Sequence, residues 1–451
     1  MSSGCLWIKN GRVIDPASRR DARGDVFARD GVLVEALSQR EREGAVVLDA
    51  GGLVVAPGFV DLHTRLGEPG NRARETFATA SRAAAAGGFT TVVSMPDTCP
   101  PADNEGVVSL IKATARQSSV VRVLPAGAIT LGLKGEHLAP IGSLRAAGVV
   151  AITDGIHGVQ NNEIMRRALE YARMFGLVVL DHCQDSSMTR GAVMHEGVCS
   201  VRLGLRGFPA AAEEIVVASD ILLSNLTRAR VHLQHLTCAG AVSLVRDAKR
   251  RGIPVTAEVT AEHLLLTEEA LCGYDTNLKL AAPLRSAADR AALIEAVRDG
   301  TLDAIVSDHS PVTPTEKDRE FDYAPFGAIG LETSFSAALE ALVHAPPAAD
   351  GLSPAPAPLP LSLVVEKFTS SPARVLGLEA GTLAAGRPAD IVLFDPDKTW
   401  VPGAAGFASR SCNCALSGRP LRGRVEFTLV GGKIVHAAPG RPAASKLESK
   451  E

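Results

Sequence analysis

Ala56-Pro57-Gly58-Phe59-Val60-Asp61-Leu62-His63-Thr64-Arg65 is the stretch whose reading decides the fold. It is apolar enough for a strand buried on both faces, and it ends in a histidine where such a strand would reach a pocket. A neutral imidazole is a good metal ligand. Arg65, two residues on, is permanently protonated and has no lone pair to give a cation.

Outward from this stretch, apolar strands alternate with helical segments. Strand candidates are Gly58–Leu62, Thr90–Ser94, Val121–Ala126, Val149–Ile152, Val178–Leu180, Val231–Gln234, Pro254–Glu258 and Ala304–Ser307. Helical candidates between them include 76–87, 162–175, 211–226, 239–251 and 288–300. The alternation predicts a (β/α)₈ barrel. The alternative is an open doubly wound sheet, but no Gly-x-Gly-x-x-Gly follows the first strand. Residues 6–55 and 380–436 read instead as short strands separated by turns. The predicted organisation is a composite β-sandwich from residues 1–56 and 380–451 around a barrel at 57–379. A proline-rich loop is expected near 345–361.

The chain has 451 residues, 46% of them apolar and 22% charged, with a net charge of −3. That balance points to a globular protein and away from nucleic acid and membrane. No signal peptide and no bilayer-length apolar run are read, so the expected setting is the cytoplasm, with the eight cysteines as free thiols. Cys412-Asn-Cys414 alone is weak support for a metal site.

In a barrel the strand C-termini converge on one pocket. Those ends carry His63, then Asp181-His182-Cys183-Gln184-Asp185, His232-Leu-Gln-His235 and Ser307-Asp308-His309-Ser310. Three histidines and one aspartate suit Zn²⁺, with a carboxylate beside the metal to take a proton from water. Cys183 and Cys238 read as packed thiols, and Lys134 as a loop residue. Structural roles are expected for His157, His195 and His263, while His309 is expected to orient Asp308. The Ala83–Ala86 run reads as a helix packed tightly on the barrel.

The chain resembles bacterial dihydroorotases over essentially its whole length. The runs that carry the resemblance include Pro57-Gly-Phe-Val-Asp-Leu-His63, Gly87-Gly-Phe-Thr-Thr-Val-Val-Ser-Met-Pro96, Val193-Met-His-Glu-Gly197, Asn277-Leu-Lys-Leu-Ala-Ala-Pro-Leu-Arg285, Ser307-Asp-His309 and Gly330-Leu-Glu-Thr333. The resemblance implies a zinc-dependent hydrolase of the cyclic amide of dihydroorotate. Its implied metal ligands are His63, His182, His235 and Asp308, with Asp154 as a further candidate. Asp308 would be the general base, and the residues at Asp97 and Asn277 would contact substrate.

Five positions depart from the family pattern, one of them at Thr153-Asp154-Gly155, where the family's Asp-Asp-Gly has an acid missing or shifted. Arg65 replaces the second histidine of the first motif, and Gly67 replaces an arginine that would grip a carboxylate. Asp97 replaces a neutral amide, and Val312 replaces a substrate-facing histidine. At most one Zn²⁺ is then expected, with dihydroorotate binding abolished. Arg65 is expected to stand among Asp61, Asp154 and Asp308 as a fixed cation, or else to point into solvent.

The leading functional expectation is therefore a dihydroorotase-like subunit with weak or no catalysis that supports aspartate carbamoyltransferase assembly, as a homo-oligomer. The second is an active zinc-dependent cyclic amide hydrolase, acting on dihydroorotate or on a hydantoin- or allantoin-like ring. A regulatory binder of a pyrimidine metabolite is the third.

Overall fold

A computed structural model describes residues 4–344 and 357–441, so most of the expected proline-rich loop lies outside the described residues. Eight parallel strands form the barrel: β1 (Phe59–Thr64), β2 (Phe89–Ser94), β3 (Arg122–Gly127), β4 (Ala151–Ile152), β5 (Val178–His182), β6 (Val231–Gln234), β7 (Val255–Thr260) and β8 (Ala304–Val306). They pair in chain order. A parallel bridge from Thr64 to His309 brings the last strand back to the first. There Arg65 N donates to the His309 carbonyl at 2.9 Å. This is the (β/α)₈ architecture, not the open sheet. The strands can sit here because they are apolar on both faces, and all six residues of β1 are buried.

Helices cover the barrel. The helix Phe77–Ala86 starts at Thr76, whose side chain accepts from Thr79 N, and it buries Ala80, Ala83, Ala84 and Ala85. Its small side chains let it lie close to β2. Gly87 ends it where a side-chain carbon would collide with the Leu331 carbonyl.

Both chain ends build one further sheet. In order its strands are Lys433–Ala437, Leu421–Val430, Ile391–Trp400, Val54–Pro57, Cys5–Asp15, Arg20–Arg29 and Val32–Val34, with Val46–Asp49 also pairing Cys5–Asp15. Cys5–Asp15 runs as one long strand with a register shift between Ile8 and Gly11, where short strands separated by turns were expected. Antiparallel pairing of Leu393 with Val55 stitches the late segment to the early one. Ile8, Val13, Val55, Leu393 and Leu429 are fully buried between them.

Phe59, Phe335 and Phe394 close the N-terminal end of β1. Ring centroids lie 4.5 Å apart for Phe59–Phe335 and 4.7 Å apart for Phe335–Phe394. The first pair is tilted and the second edge-to-face, and together the three buried rings make an apolar floor. The polar side chains gather at the opposite, C-terminal mouth. Among the described residues no helix is long and apolar enough to cross a membrane.

Candidate active site

His63 ends β1 with its side chain fully buried. His235 and Asp308 each follow a strand by one or two residues, and both have a left-handed backbone, with φ of 52° and 42°. That conformation is uncommon outside glycine and clusters at functional positions. Donor atoms of His63, His235 and Asp308 all lie within 4.8 Å of one another. His63 Nε2 is 3.6 Å, and His235 Nε2 4.0 Å, from Asp308 Oδ1. His182, at the end of β5, stands beside them, its ring centroid 5.8 Å from that of His235.

These residues fit a cation. His63 Nε2 and His182 Nδ1 are buried and have no hydrogen-bond partner among the described residues. An unpartnered buried nitrogen is costly unless something supplies a positive centre. Burial, then the neighbouring His235, holds His63 well below the ordinary imidazole range, and the same two causes lower His182 to about 4. Both rings are therefore neutral, with lone pairs to give. Burial pushes His235 down as well, but the charges of Asp308 and Glu258 outweigh it and favour a positive charge there. One Asp, with three His beside it, is a donor set that zinc accepts.

Glu258, on β7, orients the set. Its carboxylate lies 3.1 Å from His235 Nδ1 and 2.9 Å from His232 Nε2. Burial would raise its pKa, but the two histidines hold it at about 2. A carboxylate on the far nitrogen of a ligating histidine fixes the ring and raises its basicity. Asp61 ties β1 to β8, accepting from His63 N at 3.3 Å and Ser307 N at 3.2 Å.

Arg65 has Asp97 as its main partner, and of the three carboxylates expected around it only Asp308 is near, reached through Ser310. Its Nε donates to Asp97 Oδ2 at 2.6 Å and its Nη1 to Ser310 Oγ at 3.1 Å. Ser310 Oγ in turn donates to Asp308 Oδ1 at 3.2 Å. Burial opposes the guanidinium's charge, and Asp97 and Asp308 restore it. Asp61 is engaged by backbone amides, as above. Asp154 accepts from Ile129 N at 2.8 Å, Thr130 N at 2.9 Å and the Thr130 hydroxyl, so it joins neither Arg65 nor the histidine cluster. Its candidacy as a ligand is corrected on that ground: its lone pairs already serve the loop after β3.

The other expected positions fall as follows. Asp97 faces Arg65, and so is not an uncompensated charge against substrate. Gly67 has φ of +74°, and a side-chain carbon there would collide with the Glu75 carbonyl. The turn is therefore built for glycine, beyond the simple loss of an arginine. Val312 is buried, its N–H donating to Asn413 Oδ1 at 3.1 Å. Asn277 sits in a 3₁₀ turn held by Asp275. It is not among the residues that line either cavity of the mouth.

His309 does not orient Asp308. Its Nε2 lies 3.2 Å from Glu75 Oε2, and Ser310 makes the contact with Asp308 instead. His195 and His263 are held in networks, by Arg285 at 3.0 Å and by Thr260 at 2.7 Å. Lys134 and His157 are exposed, whereas Cys183 and Cys238 are buried. Sequence reading missed Glu258, Ser310 and Gln234. Glu258 had a usable signal, as an acid inside a strand of a barrel, sharing its face with Thr256 and Thr260.

Two cavities adjoin these groups. One of about 20 Å³ lies beside His182 and His235, with room for a water-sized group. The other, about 340 Å³, is bordered by Arg65, Gly67, Arg74, Asp97 and Phe326.

A family model described as dihydro-orotase-like matches residues 52–240. The chain is 49% identical over 430 residues to a dihydroorotase of Pelotomaculum thermopropionicum, covering 95% of this chain and 98% of that one. It is 48% identical to a dihydroorotase of Anaeromyxobacter dehalogenans, over 96% and 98% of the two chains. In fold it is similar to the L-hydantoinase of Arthrobacter aurescens, with a TM-score of 0.83, 23% identity and 96% of each chain covered. With near-full-length likeness of this order, the chain belongs to the dihydroorotase family.

Proposed function

We propose that this protein is a metal-dependent cyclic amide hydrolase working with one ion of the zinc kind. The observation that carries the reading is the convergence of His63, His235 and Asp308 within 4.8 Å, with the free Nδ1 of His182 alongside. These four would hold the ion, which supplies Lewis acidity toward an amide carbonyl and toward water. Glu258 keeps the His235 ring aimed at the others. Asp308 takes a proton from the attacking water and delivers it to the ring nitrogen as the C–N bond breaks. The Arg65–Ser310 chain holds the Asp308 carboxylate in place for that transfer. The reading includes a homo-oligomeric state and a cytoplasmic setting, the latter in keeping with eight free cysteines.

A second reading is favoured by one observation: Arg65 and Asp97 occupy positions where the family pattern has a ligand and a neutral amide, and they neutralise each other. On that reading the barrel turns over little and serves aspartate carbamoyltransferase assembly. Metal analysis with an assay on dihydroorotate, carbamoyl aspartate and a neutral hydantoin separates the two. Stoichiometric zinc with ring hydrolysis supports the first reading. Metal-free protein without turnover, co-purifying with the carbamoyltransferase, supports the second.

A further inference from the structure

The cavity beside Arg65 has an unusual charge balance for a pocket with two arginines on its wall. Both guanidiniums are already matched by carboxylates of the chain. Arg65 is 2.6 Å from Asp97. Arg74 makes a forked contact with Glu316, its Nε 3.0 Å from Oε2 and its Nη2 on Oε1. The bidentate pairing of Arg74 spends the fork geometry that would recognise a substrate carboxylate, while Arg65 gives one N–H to Asp97 and another to Ser310. Among the described residues that line the cavity, no unpaired cation is left over to meet an anionic ring.

Most of the remaining wall is apolar, with Leu66, Met95, Ile156 and Phe326 among it, and its other polar side chains, Asn71 and Thr98, are uncharged. Val312, at a position where the family pattern has a histidine, is buried and offers no polar side-chain atom. Gly67 offers none either, and its crowded left-handed turn leaves no space for a longer side chain. One donor of Arg65, Nη2, has no acceptor among the described residues. A carbonyl oxygen that reached Arg65 could take that N–H without bringing a net charge.

We propose that the cavity selects a neutral cyclic amide with an apolar substituent, and that Asp97 is the residue that excludes a carboxylate. The substituent lies against Met95, Ile156 and Phe326, where burying it is favourable. A carboxylate in the same place would find Arg65 already paired with Asp97, and would give up its hydration without a free cation to meet. This inference rests on the hydrolase reading for the identity of the ring, but its test is read by binding, apart from turnover.

The experiment is calorimetric titration of the full-length protein, as purified and after zinc loading, with 5-benzylhydantoin and with dihydroorotate. The neutral ring is expected to bind about tenfold or more tighter. In Asp97→Asn, Arg65 is unpaired, and dihydroorotate affinity is expected to rise about tenfold while 5-benzylhydantoin changes little. If circular dichroism shows that Asp97→Asn does not fold, Glu316→Gln frees Arg74 and is expected to act in the same direction. Dihydroorotate binding as tightly as the neutral ring in the unaltered protein would overturn the proposal. So would failure of both rings to bind, or an unchanged preference in folded variants. Preferential binding of the neutral ring without hydrolysis would uphold this inference while removing the hydrolase reading.

Discussion

On one side of the barrel mouth, His63, His235 and Asp308 turn donor atoms toward a common point. On the other, Arg65 and Asp97 turn toward each other. The first group is unfinished as protein alone, because buried nitrogens lack partners. The second is balanced in charge, because a cation and an anion sit 2.6 Å apart, and only the Arg65 Nη2 donor is left over. The difference teaches where a ligand is still required. Unsatisfied buried nitrogens mark a place for a cation, and a balanced ion pair marks a place closed to a further charge.

The largest way to break this comparison is at His235. His235→Ala should lower turnover about 10³-fold or more and release the ion, measured by steady-state rates and elemental analysis. Unchanged zinc content would mean that the cluster is only packing. Glu258→Gln is the next in size. Metal affinity should fall about 10- to 100-fold, read by chelator competition, because the His235 ring loses its orienting charge.

Arg65 and Asp97 sharpen the other side. Arg65→Ala is expected to cost about 1–2 kcal/mol in urea unfolding, and added zinc should not restore it. The double variant with Asp97→Ala should cost less than the sum of the single changes. Zinc rescue of Arg65→Ala would show instead that the guanidinium stands in for a metal.

The smallest effect lies behind β5, away from both groups. Burial pushes the Asp220 carboxyl up from its ordinary 3.8 to about 7, next to Asp181. The folded chain then holds a proton that the unfolded chain releases earlier. Stability should therefore fall as pH rises from about 4 to about 7. Asp220→Asn should flatten that decline and add about 1–2 kcal/mol at pH 8. An equal slope in both proteins would count against it.

The barrel was legible because its strands are apolar on both faces and its helices are amphipathic, which are local signals. The positions of His63, His182, His235 and Asp308 followed, since a strand end points at the mouth whatever its neighbours are. What was not legible is non-local or conformational. The Arg65–Asp97 pair spans 32 residues of sequence and joins two strand ends. The left-handed backbones of His235 and Asp308 leave no mark in residue type. Asp154 was misread because nothing in Thr-Asp-Gly reveals that two amides and a hydroxyl 24 and 25 residues earlier engage its carboxylate.

Zinc counted per chain by elemental analysis of protein prepared with zinc in excess tests the central claim most directly. One ion per chain, lost in His235→Ala, is the expected result. Two ions, or none, would contradict it.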